Sequence, residues 1–254
     1  MTIRLEDIRK TVKVKGKPLK LFDGLNLSIE PGARVGILGL PRSGKSTLLG
    51  MICGSERIYT GNIVREMSSS WPIPFDGFFA PTSSVAWGLR SVARLYGVQD
   101  SEFASRVASM AQASAYVNST SGDTPAGIRF QIAYVLGLAI DFDLYLFDNA
   151  AVSGMPGFKG AGKALLAERT AGRAIVVATS QEAEVAKNCQ SVYVLASGKA
   201  VYFADVQEGI KFFKEYKKSE EEKQKQASEE DDFEKGTATD IAEGSGVDSV
   251  MSIL

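Results

Sequence analysis

Residues Gly39 to Ser46 read Gly-Leu-Pro-Arg-Ser-Gly-Lys-Ser, the spacing of a phosphate-binding P-loop. Gly39 and Gly44 let the backbone curl until successive N–H groups converge on a chain of phosphates. The helix beginning there adds the partial positive charge of its N-terminus. Lys45 places a point charge between the β- and γ-phosphates, and the Ser46 hydroxyl is a ligand for Mg²⁺. Gly39, Leu40, Pro41, Arg42, Ser43, Gly44, Lys45, Ser46 and Thr47 together form the expected nucleoside triphosphate site.

Mg²⁺ needs a second protein contact, ordinarily a carboxylate ending a neighbouring buried strand. Asp148 follows the apolar run Leu144-Tyr145-Leu146-Phe147 and fits, so Ser46 and Asp148 are the expected metal contacts. The next residue is Asn149, whose amide cannot take a proton from an attacking water, and the chain has no histidine. The motif is built to hold a triphosphate, and its neighbour asks whether the chain can cleave one.

The elements that must position these groups are legible in part. Thr2 to Leu5 and the Val12–Lys20 region read as short strands, and Leu21 to Ile29 alternates up to a Pro31-Gly32 turn. Arg34 to Leu38 is an apolar strand, and Lys45 to Cys53 a helix, so the loop lies between strand and helix as its chemistry requires. From Trp71 to Thr124 the character changes, with helical spacing over Val85–Tyr96 and Phe103–Val117. Gly127 to Ile140 is a further apolar helix, and Ala174 to Thr179 and Ser191 to Leu195 are strands. Val201 to Ala204 pairs back across Ser197-Gly198. The expected fold class is α/β, with a nucleotide-binding domain over 1–216, a helical insert at about 85–140, and a tail over 217–254.

That tail is acidic. Residues 219–254 carry 11 acids and 3 lysines, a net −8 that leaves +7 on the other 218 residues of a chain whose total is −1. With little to bury it reads as disordered, and its plain reading is a solubilising tail. A mildly basic globule suits an anionic ligand or membrane face, but +7 is not a nucleic-acid signature. Cys53 and Cys189 read as reduced core thiols. No apolar run approaches the ~20 residues that span a bilayer, so at a membrane another chain must supply the span.

P-loop, helical insert, apolar helix and a strand ending in aspartate resemble, over residues 1 to about 216, the nucleotide-binding subunit of an ABC transporter. Ser70-Trp71-Pro72 and Ala93-Arg94-Leu95-Tyr96 are similar to ATP-binding subunits of capsular polysaccharide exporters. The resemblance implies ATP and Mg²⁺ as cofactors and an integral-membrane permease as partner. It implies a head-to-tail homodimer or heterodimer with another ATP-binding subunit, no nucleic acid, and a place at the cytoplasmic face of the inner membrane.

The family's other motifs depart from pattern. Counting back from Asp148 puts the signature loop at Thr124-Pro125-Ala126-Gly127-Ile128, where Pro125, Ala126 and Gly127 keep a glycine but no serine hydroxyl. There Pro125 is expected as the first helical residue with Thr124 as its cap. Asn149 stands at the catalytic glutamate and Ser180 at the switch histidine. The Q-loop glutamine falls near Phe79-Ala80-Pro81, and the D-loop reads Val152-Ser153-Gly154-Met155. Thr11-Val12 replaces the aromatic that stacks on adenine. No catalytic group is intact, so the expectation is ATP binding coupled to a permease with weak or absent hydrolysis. A regulatory pseudo-ATPase that clamps a permease or true ATPase is the alternative, and an unrelated P-loop kinase or GTPase the third.

Overall fold

The computed structural model describes residues 1–14, 16–58, 60–75, 77–149 and 161–243. The chain divides into one unit over Met1–Lys211 and a second over Phe212–Leu254. In the first unit, the described residues form two sheets. A three-stranded antiparallel sheet is ordered β2-β1-β4, with β1 Ile3–Val14, β2 Lys17–Ile29 and β4 Thr60–Arg65. A six-stranded sheet is ordered β5-β6-β7-β3-β8-β9. Its strands are β3 Arg34–Gly39, β5 Ser69–Ile73, β6 Leu144–Asp148, β7 Ala174–Thr179, β8 Ser191–Ala196 and β9 Lys199–Phe203. All neighbouring pairs in it are parallel except β8 with β9, the hairpin expected across Ser197-Gly198.

The central strands are apolar on both faces, and their period of two divides them between two cores. Tyr145 and Phe147 of β6 and Ile175 and Val177 of β7 enter one core. That core also holds residues of α2 Val85–Leu95, α3 Phe103–Met110, α4 Ala126–Ala139 and α5 Ala161–Arg169. Leu144, Leu146, Val176 and Ala178 enter the other, with α1 Lys45–Cys53 and the inward face of the antiparallel sheet. The P-loop helix and the helical subdomain therefore lie on opposite faces of one sheet. An apolar run that alternates between two hydrophobic environments reads only as a continuous buried strand, which is why these segments were recognisable.

Several segments differ from the sequence reading. Trp71, where the character of the sequence changes, is in β5, and its strand pairs with β6. The hairpin β1–β2 is longer than the short strands expected, because register shifts between Leu5 and Ile8 and between Lys10 and Thr11 hide its alternation. The strand β4 and the helices α5 and α6 (Glu182–Asn188) carried no usable periodicity. Cys53 and Cys189 are half-buried rather than core residues, and both are free. Burial pushes the Cys189 thiol up to about 12, which keeps it protonated and inert at neutral pH.

A last helix, α7, runs Val206–Glu243 and crosses the boundary between the two units. In the second unit it occupies most of the segment expected to be disordered. Its composition explains both observations: Glu, Lys, Gln and Ala are good helix formers yet offer little to bury. Lys218 pairs with Glu222 at 3.9 Å and Lys223 with Glu220 at 2.8 Å along the helix surface. Residues 244–254 lie outside the described residues.

Candidate nucleotide site

Strand order builds the site. In the sequence β6-β7-β3, the C-terminal ends of three adjacent parallel strands deliver Asp148, Ser180 and Gly39 to one edge of the sheet. Open parallel sheets offer their ligand crevice at this edge. Asp148 sits level with Ala178, and Leu38 with Thr179. The Asn149 N–H donates to the Ala178 carbonyl at 2.9 Å, which fixes the turn after β6 against β7.

The loop from Gly39 to Gly44 closes through Ser43 N–H to the Leu40 carbonyl at 3.1 Å. Gly44 caps α1 at φ 96°, in the left-handed region. A Cβ there would lie 2.8 Å from the Phe22 ring and 2.9 Å from Leu21, so conformation and space both require glycine. Gly39 is constrained by space alone: a Cβ would stand 2.3 Å from the Ser43 hydroxyl.

Lys45 is only 6% exposed, and its Nζ donates to the carbonyls of Gly39 and Leu40, each at 2.9 Å. Burial lowers its pKa from the ordinary lysine value, and the nearby Asp148 carboxylate partly offsets that. The ammonium is thus held by neutral carbonyls, an incomplete exchange for water. Asp148 Oδ1 and Ser43 Oγ are buried with no hydrogen-bond partner among the described residues. An unpaired buried carboxylate oxygen beside an underpaired cation and an inward-facing hydroxyl are unmet interactions of the kind an Mg²⁺–phosphate group satisfies.

Lys45 opens into a cavity of about 700 Å³ lined by residues from the loop, its helix, the strand ends and the hairpin. Pro41, Arg42, Gly44, Lys45, Ser46 and Thr47 form its loop side, and Asn149 and Ser180 face it from the sheet. The two residues expected at the glutamate and histidine positions are therefore brought together at the P-loop. Val12, also singled out, lines the hairpin side. Beside it stand Leu19 and Leu21, which sequence reading missed as site residues. The signal available was the alternation of β2, but that reports a buried face, not a ligand.

Other expected groups lie elsewhere. Ala80 is exposed in the connection between β5 and α2 and does not line the cavity. Pro125, Ala126 and Gly127 are exposed at the start of α4, and a Cβ on Gly127 would meet nothing within 4 Å. Their local geometry corrects one expectation. Pro125 is the cap, not the first helical residue, and no side chain caps the helix. The Thr124 hydroxyl instead donates to the Thr120 carbonyl at 2.9 Å, and Arg129 donates to the Thr124 carbonyl at 2.6 Å. Val152, Ser153, Gly154 and Met155 lie outside the described residues.

The family model "ABC transporter" matches residues 22–83. The chain is 28% identical over 217 residues to the ATP-binding protein BexA of Haemophilus influenzae, covering 85% of this chain and 100% of that one. It is 28% identical over 211 residues to the capsule polysaccharide export ATP-binding protein CtrD of Neisseria meningitidis serogroup B, covering 83% and 98%. It is likewise 28% identical over 217 residues to the polysialic acid transport ATP-binding protein KpsT of Escherichia coli, covering 84% and 97%. Among solved structures, a dimeric bacterial ABC transporter cassette aligns with a TM-score of 0.63 at 19% identity, covering 78% of this chain and 96% of that one. The fold is that of an ABC ATPase cassette.

Proposed function

We propose that this chain, an ABC-type ATP-binding cassette by its fold and its matched domain, is the ATP-binding subunit of an exporter of capsular or related cell-surface polysaccharide. The observation that carries the reading is a likeness, over 83% and 84% of this chain, to a capsule polysaccharide export and a polysialic acid transport ATP-binding protein, in a chain whose P-loop lines a cavity. Among the described residues no helix is long and apolar enough to cross a membrane. The proposed working form is a dimer, with itself or with another ATP-binding subunit, bound to a separate permease at the cytoplasmic face of the inner membrane. Phe75, Trp87, Leu95 and Tyr96 leave large apolar surface exposed, and this is the surface assigned to the permease.

In this reading the N–H groups of the loop and α1, with Lys45, hold the β- and γ-phosphates. The Ser46 hydroxyl and Asp148 carboxylate would hold Mg²⁺, which when bound neutralises charge on the phosphate oxygens. The Lys45 ammonium leaves the Gly39 and Leu40 carbonyls for phosphate oxygens, and ATP binding thereby relieves its underpaired burial. Asn149 can orient a water through its amide but takes no proton from it, and Ser180 supplies a hydroxyl in place of an imidazole. A positioned general base contributes about 10²- to 10⁴-fold to a rate, so binding is retained while turnover by this chain is weak. The exposed Pro125-Ala126-Gly127 offers a facing subunit its backbone but no serine hydroxyl.

The test is nucleotide binding and turnover measured side by side on the purified full chain. Binding that Lys45→Ala removes, with turnover far below that of ordinary ABC cassettes, is expected. Turnover at ordinary rates, abolished by Lys45→Ala, would sink the weak-hydrolysis part. Deleting the gene should trap polysaccharide inside the cell, and undiminished surface polysaccharide would sink the export part.

A further inference from the structure

Within the phosphate loop, Arg42 is the residue that packing does not account for. It stands at φ 64°, in the left-handed region. That conformation crowds the Cβ of an arginine against its own backbone and suits glycine or asparagine. A loop that needed only its turn would be served by glycine here, as it is at Gly44. Strained backbone persists where the surrounding structure enforces it, and it gathers at ligand clamps. What arginine adds over glycine is a guanidinium.

Arg42 is exposed and lines the cavity beside Lys45. Among the described residues its guanidinium has no hydrogen-bond or ion-pair partner. The described lining holds two cations, Lys45 and Arg42, and no acid. Lys45 is buried and engaged by the carbonyls of Gly39 and Leu40, whereas Arg42 is free to turn toward a ligand. Asn149, to which the reading above gives the attacking water, lines the same cavity, so the terminal phosphate lies in the space that Arg42 shares. Charge leads to the same group. Mg²⁺ and Lys45 face the Asp148 carboxylate and two phosphates in either nucleotide. A third phosphate adds negative charge, for which the described lining offers one further side-chain cation.

We propose that the Arg42 guanidinium binds the terminal phosphate, so that the chain's own loop distinguishes a nucleoside triphosphate from a diphosphate. This rests on the nucleotide site proposed above and deepens it: Lys45 and Mg²⁺ serve both nucleotides, and Arg42 serves the triphosphate alone. A planar guanidinium gives a phosphate two parallel hydrogen bonds, which a lysine ammonium does not.

The experiment measures MgATP and MgADP binding by calorimetry on the full chain and on Arg42→Gly and Arg42→Lys. Glycine adopts φ 64° at ease, so Arg42→Gly is expected to fold, with a melting temperature close to that of the parent chain. Arg42→Asn, which also tolerates this conformation and removes the charge, takes its place if it does not. Arg42→Gly should weaken MgATP by about tenfold and leave MgADP within about twofold. Arg42→Lys should recover about half of that loss on a logarithmic scale, because it restores charge but not the fork. MgATP and MgADP weakened by the same factor overturn the assignment to the terminal phosphate. MgATP bound as tightly by Arg42→Gly as by the parent chain overturns the contact altogether, while the nucleotide site stands. Failure of the parent chain to bind either nucleotide overturns the site and the contact together.

Discussion

The two ends of the central parallel strands treat their aspartates in opposite ways. At the N-terminal end, just before β6, Asp143 has both oxygens engaged. Its Oδ2 accepts from the Ser68 N–H at 3.0 Å and the Ser68 hydroxyl at 2.7 Å, and its Oδ1 from Arg173 at 3.0 Å. Ser68 precedes β5 and Arg173 precedes β7, so one carboxylate ties three strand starts together. At the C-terminal end of the same strand, Asp148 leaves Oδ1 buried and unpaired, near a lysine held only by carbonyls. Arg42, Gly44 and Asn149 there also adopt positive φ. One end spends its polar groups on stability, and the other keeps them unpaired for a ligand. At this edge, strained backbone and unmet hydrogen bonds stand on a frame whose opposite end is well satisfied.

This contrast can be broken most directly at Lys45. Lys45→Ala should weaken nucleotide binding by about 100-fold or more, since it removes a buried charge from a charge-assisted contact. Its melting temperature should not fall, because a partly desolvated ammonium is removed with it. A protein that loses stability instead would place Lys45 in the frame. Asp148→Asn comes next. It should lower Mg²⁺-dependent affinity by about tenfold, with little effect on binding measured in excess chelator, and no loss of stability.

The opposite end should show the reverse signature. Asp143→Asn should cost about 1 kcal/mol, discounted for the exposure of the pair, and leave nucleotide affinity unchanged. Its pH dependence sharpens the test. The Ser68 hydroxyl and N–H first, then Arg173, hold the Asp143 carboxyl below its usual 3.8. A carboxyl with a depressed folded pKa contributes stability fully above the unfolded value, and that contribution is lost as pH falls through the folded one. Acid unfolding curves should therefore show the wild-type advantage over Asp143→Asn shrinking below about pH 4. The smallest effect is expected at Ser43. Ser43→Ala removes an unpaired buried hydroxyl, so chemical denaturation should find it equal to or slightly above wild type, with affinity reduced by no more than about threefold.

The parallel strands and the P-loop helix were legible because each is encoded in contiguous residues. Val35–Leu38 and Leu144–Phe147 are uncharged and mostly apolar, and Lys45–Cys53 begins directly after Gly44. The strand Thr60–Arg65 was not, since its residues are mostly exposed and carry no apolar alternation. Ser69–Ile73 was not legible as a strand because its proline and serines mask one. Ser70 lies fully buried there, its hydroxyl donating to the Trp71 carbonyl and accepting from the Leu146 N–H at 2.9 Å. A serine satisfied by a strand far along the chain leaves no trace in local composition.

The same division holds in the site. The sequence by itself determined the phosphate cradle. Gly39 to Ser46 form a loop whose hydrogen bonds close within a few residues, and Asp148 and Asn149 are adjacent in the chain. Only the tertiary structure decided what faces that cradle. Asn149 and Ser180 meet it because β6, β7 and β3 are neighbours, an order fixed by packing on both faces of the sheet. Val12 and Leu19 meet it because the register of a long hairpin places them opposite one another. Turn and loop geometry is local and can be read along the chain. Strand neighbours and hairpin register depend on contacts between distant residues, and it is these that supply the rest of the cavity lining.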